Sequence, residues 1–105
     1  MTGMTYNAAV GELAKLRGRT VLVQVRPTGA HNNLFSMLDG INEVSEDDAD
    51  PDRVWMNFHD AEAGLSFTRS DFVDAGWEPG WRKGEEQERL FRVGLGVIEV
   101  GFLQT

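Results

Sequence analysis

Residues 19–44 read RTVLVQVRPTGAHNNLFSMLDGINEV, and this stretch decides the fold. Val21, Val23 and Val25 alternate with Thr20, Leu22, Gln24 and Arg26. After the Pro27–Thr28–Gly29–Ala30 turn, Leu34, Ser36 and Leu38 alternate with Phe35, Met37 and Asp39. Side chains on a strand point to opposite faces at a period of two. The pattern therefore predicts two antiparallel strands about a turn, each with one apolar face that the rest of the chain has to cover. Gly40 sits where the second strand has to bend, and Ile41 and Val44 continue it.

Working toward the N-terminus, residues 7–17 predict a short helix. Val10, Leu13, Ala14 and Leu16 follow a three-to-four spacing, Asn7 can cap the start, and Gly18 can supply the left-handed residue past the end. Such a stripe reads as a lid on the core, with an oligomer contact as the alternative. Residues 1–6 read as flexible. Gly11 inside the helix costs about 1 kcal/mol relative to Ala.

Toward the C-terminus, residues 45–53 form an acidic loop. Asp48, Asp50 and Asp52 alternate as in a calcium loop. However, Arg53 stands where that loop needs its glycine, and His59 where it needs its last glutamate. In 53–59, Val54, Met56 and Phe58 face one way, and Trp55, Asn57 and His59 the other. DAEAG turns the chain and LSFT returns it. Residues 70–76 resemble a capped helical turn ending in glycine, and 77–88 (loop proper, 78–88) a loop containing Trp77 and Trp81. Residues 90–103 read as two apolar strands broken near Gly94 or Gly96. The inventory is mainly β. It predicts one domain over 1–105, a small, strongly bent antiparallel β-barrel of five or six strands, SH3-like or Sm-like, with a short N-terminal helix.

Composition narrows the function classes. With 105 residues and 41% hydrophobic side chains, the chain can bury one core. It carries 17 acidic and 10 basic residues, a formal charge of −7. That works against phosphate neutralisation, so RNA or DNA is disfavoured as a partner and a protein partner fits better. It contains no cysteine, which removes disulfides, zinc thiolates and thiol nucleophiles together. No apolar run approaches the ~18–20 residues that cross a bilayer, and no secretory signal is visible. A cytoplasmic location is the expectation.

Catalytic constellations are absent from the reading. Ser36, Ser66 and Ser70 lie in no nucleophile elbow, and Gly94–Leu95–Gly96 lacks the rest of a dinucleotide fingerprint. His31 and His59 are the only histidines. His59 with Asp60 and Glu62 is the one arrangement from which an enzyme could be built, but no metal-ligand spacing accompanies it. No cofactor and no metal are expected. The binding candidates are Trp55, Trp77 and Trp81, aromatic rings that either cradle a cation on an acidic surface or plug the barrel ends.

One resemblance covers about half the chain in short pieces. LAKLRGRTVLVQV is similar to the helix and first strand that open Sm-like (LSm) proteins. Leu34-x-Ser36-x-Leu38-x-x-Ile41-Asn42, Met56–Asn57 with the following acidic turn, and Arg92–Val93–Gly94 resemble their two motifs. Ser36 and Asn42 stand where that family has glycine and aspartate, and residues 45–54 interrupt the first motif. The resemblance implies a bent barrel, a ring-forming homo-oligomer, and RNA held by Asn57 and Arg92. The leading expectation from the residues themselves is a non-enzymatic module that binds a protein partner or itself through its strand edges.

Overall fold

The computed structural model describes residues 4–46, 49–50, 52–59, 63–80 and 89–105. The described residues are mainly β, with one helix, α1 (Tyr6–Lys15), and seven strands: β1 (Thr20–Pro27), β2 (Phe35–Glu46), β3 (Arg53–Phe58), β4 (Gly64–Thr68), β5 (Asp74–Glu78), β6 (Leu90–Gly94) and β7 (Ile98–Gln104). The strands form one antiparallel sheet in the order β4-β3-β2-β1-β7-β6-β5. Among the described residues the sheet does not close, and β4 and β5 stand at its two ends. A barrel of five or six strands was expected. The additional strand is β5, where a helical turn and a loop had been read.

The valine strand is central, paired with β2 on one side and β7 on the other. Val21 and Val23 are buried. The register builds two apolar rows across the inner face. Met37, Val23, Phe102, Phe91 and Trp77 lie side by side on five strands, as do Phe35, Val25, Val100, Val93 and Ala75. Directly opposed residues share a face. Hence the valines draw Phe35, Met37 and Asp39 inward, and the inward row of β2 is this one. Leu34, Ser36 and Leu38 face outward and are exposed. Asp39 is buried, and its Oδ1 accepts the Gly40 N–H at 2.7 Å.

The long strand β2 serves two neighbours. Its first half pairs with β1 and its second half with β3. The bend expected at Gly40 is made two residues later, by a bulge between Ile41 and Glu43 that leaves Asn42 as the extra residue. Helix α1 fills the concave side. Ala9, Leu13 and Leu16 are buried along one stripe, so the helix is a core lid. Its N-cap is Thr5, whose Oγ1 accepts the Ala8 N–H at 3.2 Å. Asn7 instead accepts a hydrogen bond from Arg69. Gly18 adopts φ +83° as expected, and its N–H donates to the Ile41 carbonyl at 2.7 Å. At the other end the Met4 N–H donates to the Ala75 carbonyl at 3.0 Å. The helix is thereby tied to β2 and to β5.

Several boundaries differ from the reading. Residues 4–6 are anchored. The Tyr6 ring packs on Phe67 and Phe72, its hydroxyl donates to the Asp52 carbonyl, and the Arg69 guanidinium lies 4.5 Å above it. Burial raises the Tyr6 phenol above its ordinary range, against the opposing charge of Arg69. Ser45 and Glu46 belong to β2, and Arg53 opens β3, so the acidic loop is shorter than 45–53. The helical turn read at 70–76 reduces to a tight turn in which the Asp71 carboxylate accepts from the Thr68 N–H and hydroxyl. Those bonds hold its carboxyl below the usual aspartate range. Strand β5 then begins at Asp74.

Candidate functional site

The tryptophans do not assemble a cage among the described residues. Trp77 lies in β5, not in a loop, and is half buried against the core. Its ring centroid is 5.1 Å from Phe91, and its indole N–H donates to Glu12 at 3.4 Å. The Glu12 carboxyl is held below the usual range first by Lys15 and then by this indole, against burial. Trp55 stands on β3, facing outward with the Arg53 guanidinium 6.0 Å from its ring. Between β3 and β5 the sheet order places β2, β1, β7 and β6. Trp81 lies outside the described residues. Trp77 is therefore a packing residue, and Trp55 is an exposed ring on β3.

Nor does the sheet bring Asn57 and Arg92 together as neighbours. Asn57 is on β3 and Arg92 on β6, with β2, β1 and β7 between them. Arg92 is also committed to carboxylates. It lies on the outer face, paired with Gly76 of β5 and Gly101 of β7. It makes a bidentate pair with Asp74 at 2.9 and 3.1 Å, a bond from Nε to Glu78 at 3.2 Å, and approaches Glu99 at 3.8 Å. Glu99 in turn accepts from Arg26. The hydrogen bonds to Asp74 come first among the causes that raise the Arg92 pKa, with burial opposing. A guanidinium saturated in this way has no fork left for phosphate.

Gly94 completes this network by absence. A Cβ there would press into the Asp74 carboxylate and touch Arg92 Nη1 at 3.0 Å. Gly94→Ala is expected to displace Asp74 and lower stability by about 1–3 kcal/mol, an overpacking cost. Chemical denaturation will read it, and a neutral result would show that the carboxylate moves aside freely.

Histidine 59 is exposed at the end of β3. It lines an open cleft of about 610 Å³ with Arg17, Thr20, Asn42, Ile41 and the backbone of Gly18 and Gly40. No described carboxylate lines this cleft, and Asp60 and Glu62 lie outside the described residues. His31 lies in the β1–β2 turn region and is exposed. Among the described residues no three His, Asp or Glu side chains converge as a metal site. No described helix is long and apolar enough to cross a membrane.

The remaining feature is the first half of β2. On one side it pairs with β1; on the other, among the described residues, no strand flanks Phe35–Asp39, because β3 pairs only from Ile41 onward. Backbone direction alternates along an antiparallel strand. The Ile41 N–H donates to the Arg19 carbonyl of the β1 side, so the odd residues of β2 point that way. The Gly40 carbonyl accepts from His59 N–H on the β3 side, so the even residues point away. Ser36 and Leu38 consequently direct their N–H and C=O groups to the open edge. Beside them Leu34, Phe35 and Leu38 are 69%, 51% and 63% exposed. From Asn32 to Leu38 the chain carries no charged residue, although 26% of the whole is charged. Soluble proteins usually blunt an open edge with lysine, proline or a bulge, and none of these occupies 34–38. Sequence reading named strand edges in general. The signal that locates this one is the uncharged run itself.

Comparison with family models, with curated proteins and with solved structures gives no match.

Proposed function

We propose that this chain is a non-enzymatic interaction module whose working surface is the free edge of β2, where it accepts one further β-strand from a protein partner. The observation that carries the reading is the coincidence, over Leu34–Leu38, of open backbone groups with exposed, uncharged, apolar side chains. Strand addition draws its affinity from main-chain hydrogen bonds and its selectivity from alternate side chains. Here Ser36 and Leu38 would supply the donors and acceptors. Leu34 and Leu38 would grip the incoming strand on the outer face, and Phe35 and Met37 on the inner. The other candidates are weaker surfaces. Trp77 and Arg92 already have their partners, and the acidic charge of −7 favours neither RNA nor an anionic ligand.

The test is a titration with short, uncharged, extended peptides followed by amide NMR. Shifts are expected at residues 34–38. Ser36→Pro removes only an N–H that points away from β1, a position where an edge strand tolerates proline. It is expected to weaken binding at least tenfold while the melting transition persists. Peptide shifts centred on the His59 cleft, or salt-sensitive binding of single-stranded RNA without change at 34–38, would remove the reading in favour of an enzyme or an Sm-like protein respectively.

A further inference from the structure

We infer that the strand accepted at this edge is β2 of a second copy of the same chain, added antiparallel about a two-fold axis through Ser36. The inference rests on the strand-accepting reading above and names its occupant. An isologous pairing places each residue of the patch opposite another residue of the same patch. With the axis at Ser36, Leu34 lies opposite Leu38 of the second copy on the outer face, and Phe35 lies opposite its Met37 on the inner face. Every contact across 34–38 is then apolar against apolar, or serine against serine. The backbone agrees. Ser36 N–H meets the Ser36 carbonyl of the second copy, a bond repeated by symmetry, and Leu38 presents its N–H to the same flank. The Leu34 N–H asks for no new partner, because it already donates to Val25 at 2.7 Å. Shifting the axis to Met37 would set Phe35 against Asp39 and Leu34 against Gly40, so the register is specified by the residues themselves.

Charge supports the same occupant. A basic or acidic peptide finds nothing to read between Asn32 and Leu38. The uncharged segment is its own best complement, and the pairing brings no like charges together within 34–38. Area sets the strength. A five-residue edge with three exposed apolar side chains buries about half of the ~800 Å² per partner found in standard complexes. The dimer accordingly belongs to the weak, transient class, and its population depends on concentration.

Sedimentation velocity over a concentration series tests this, together with thiol cross-linking. The chain has no cysteine, so one introduced thiol is unique. In a hydrogen-bonded antiparallel pair the Cα atoms lie ~5.5 Å apart, inside the ~4.4–6.8 Å that a disulfide spans. Ser36→Cys is expected to form a disulfide-linked dimer under mild oxidation at least tenfold faster than Val97→Cys. Val97 is 84% exposed and lies in the β6–β7 turn, with β1 between β7 and the open edge of β2. Leu38→Lys, an exposed position whose change leaves the fold intact, is expected to raise the dimer dissociation constant at least tenfold. A monomer at every concentration that still binds strand peptides at 34–38 would overturn the second copy and leave the strand-accepting reading standing. A monomer that binds neither would overturn both. A dimer that survives Leu38→Lys, or equal cross-linking at the two positions, would show that the contact lies elsewhere and overturn the inference.

Discussion

Phe91→Ala is expected to lower the stability of this protein by about 3–5 kcal/mol, the range for deleting an enclosed aromatic ring. Phe91 has no solvent exposure and sits within the inner row, between Phe102 on β7 and Trp77 on β5. Its ring meets Trp77 at 5.1 Å in a tilted arrangement, so truncation forfeits an aromatic pair as well as buried area. Neither neighbour can collapse into the gap without leaving its own strand. A domain of this size is held by about 5–15 kcal/mol in total. The variant should therefore melt roughly 12–40 °C lower, at about 4–8 °C per kcal/mol. A urea titration will separate the causes. The midpoint should fall with the slope unchanged. A loss under about 1 kcal/mol would mean that the row is not enclosed as the register places it.

Arg92→Met is expected to cost about 2–4 kcal/mol, because it removes the cation and leaves its carboxylates behind. The Arg92 side chain is 19% exposed, whereas Asp74 and Glu78 are 42% and 33% exposed, so water recovers part of the loss. Glu99 keeps Arg26, which limits the damage on that strand. Arg92→Lys should fall between wild type and methionine, since an ammonium cannot reproduce the bidentate fork on Asp74 together with the bond to Glu78. A double-mutant cycle of Arg92→Met with Asp74→Asn measures the pair directly, and a coupling of about 1–3 kcal/mol is expected. A coupling near zero would reduce the network to surface decoration. It would also restore Arg92 as a group free to meet a phosphate.

The valine alternation of β1 was legible because a strand paired on both sides and buried on one face shows period two most clearly. The same holds for Val54, Met56 and Phe58 in β3, and for the glycine break between β6 and β7. Strand β5 was not read. DAGWE contains only two apolar residues, at alternate positions, and its Gly76 looks like punctuation although it is a strand residue paired with Arg92. The helix was legible from its stripe, but its cap was misplaced by two residues. Nothing in Tyr6 announces that a partner on Phe67, sixty-one positions away, will hold it. Tryptophan in a Gly- and Pro-containing segment also misled, since Trp77 belongs to a strand. The inward row of β2 depends on cross-strand register, which Leu34 and Leu38 cannot reveal alone. The candidate edge was the least legible, because only the position where β3 begins to pair tells which half of β2 has, among the described residues, no strand on that flank.

The handover at Gly40 makes β2 a ruler. Any guest laid along Ser36 and Leu38 runs end to end with β3 on the same flank, and it stops where the Gly40 carbonyl is already taken by His59. At ~3.3 Å per residue the berth measures roughly 17 Å, room for about five residues. In the two-fold pairing inferred above, the whole berth is used on both molecules, so this edge would take one copy and have no free register left for another.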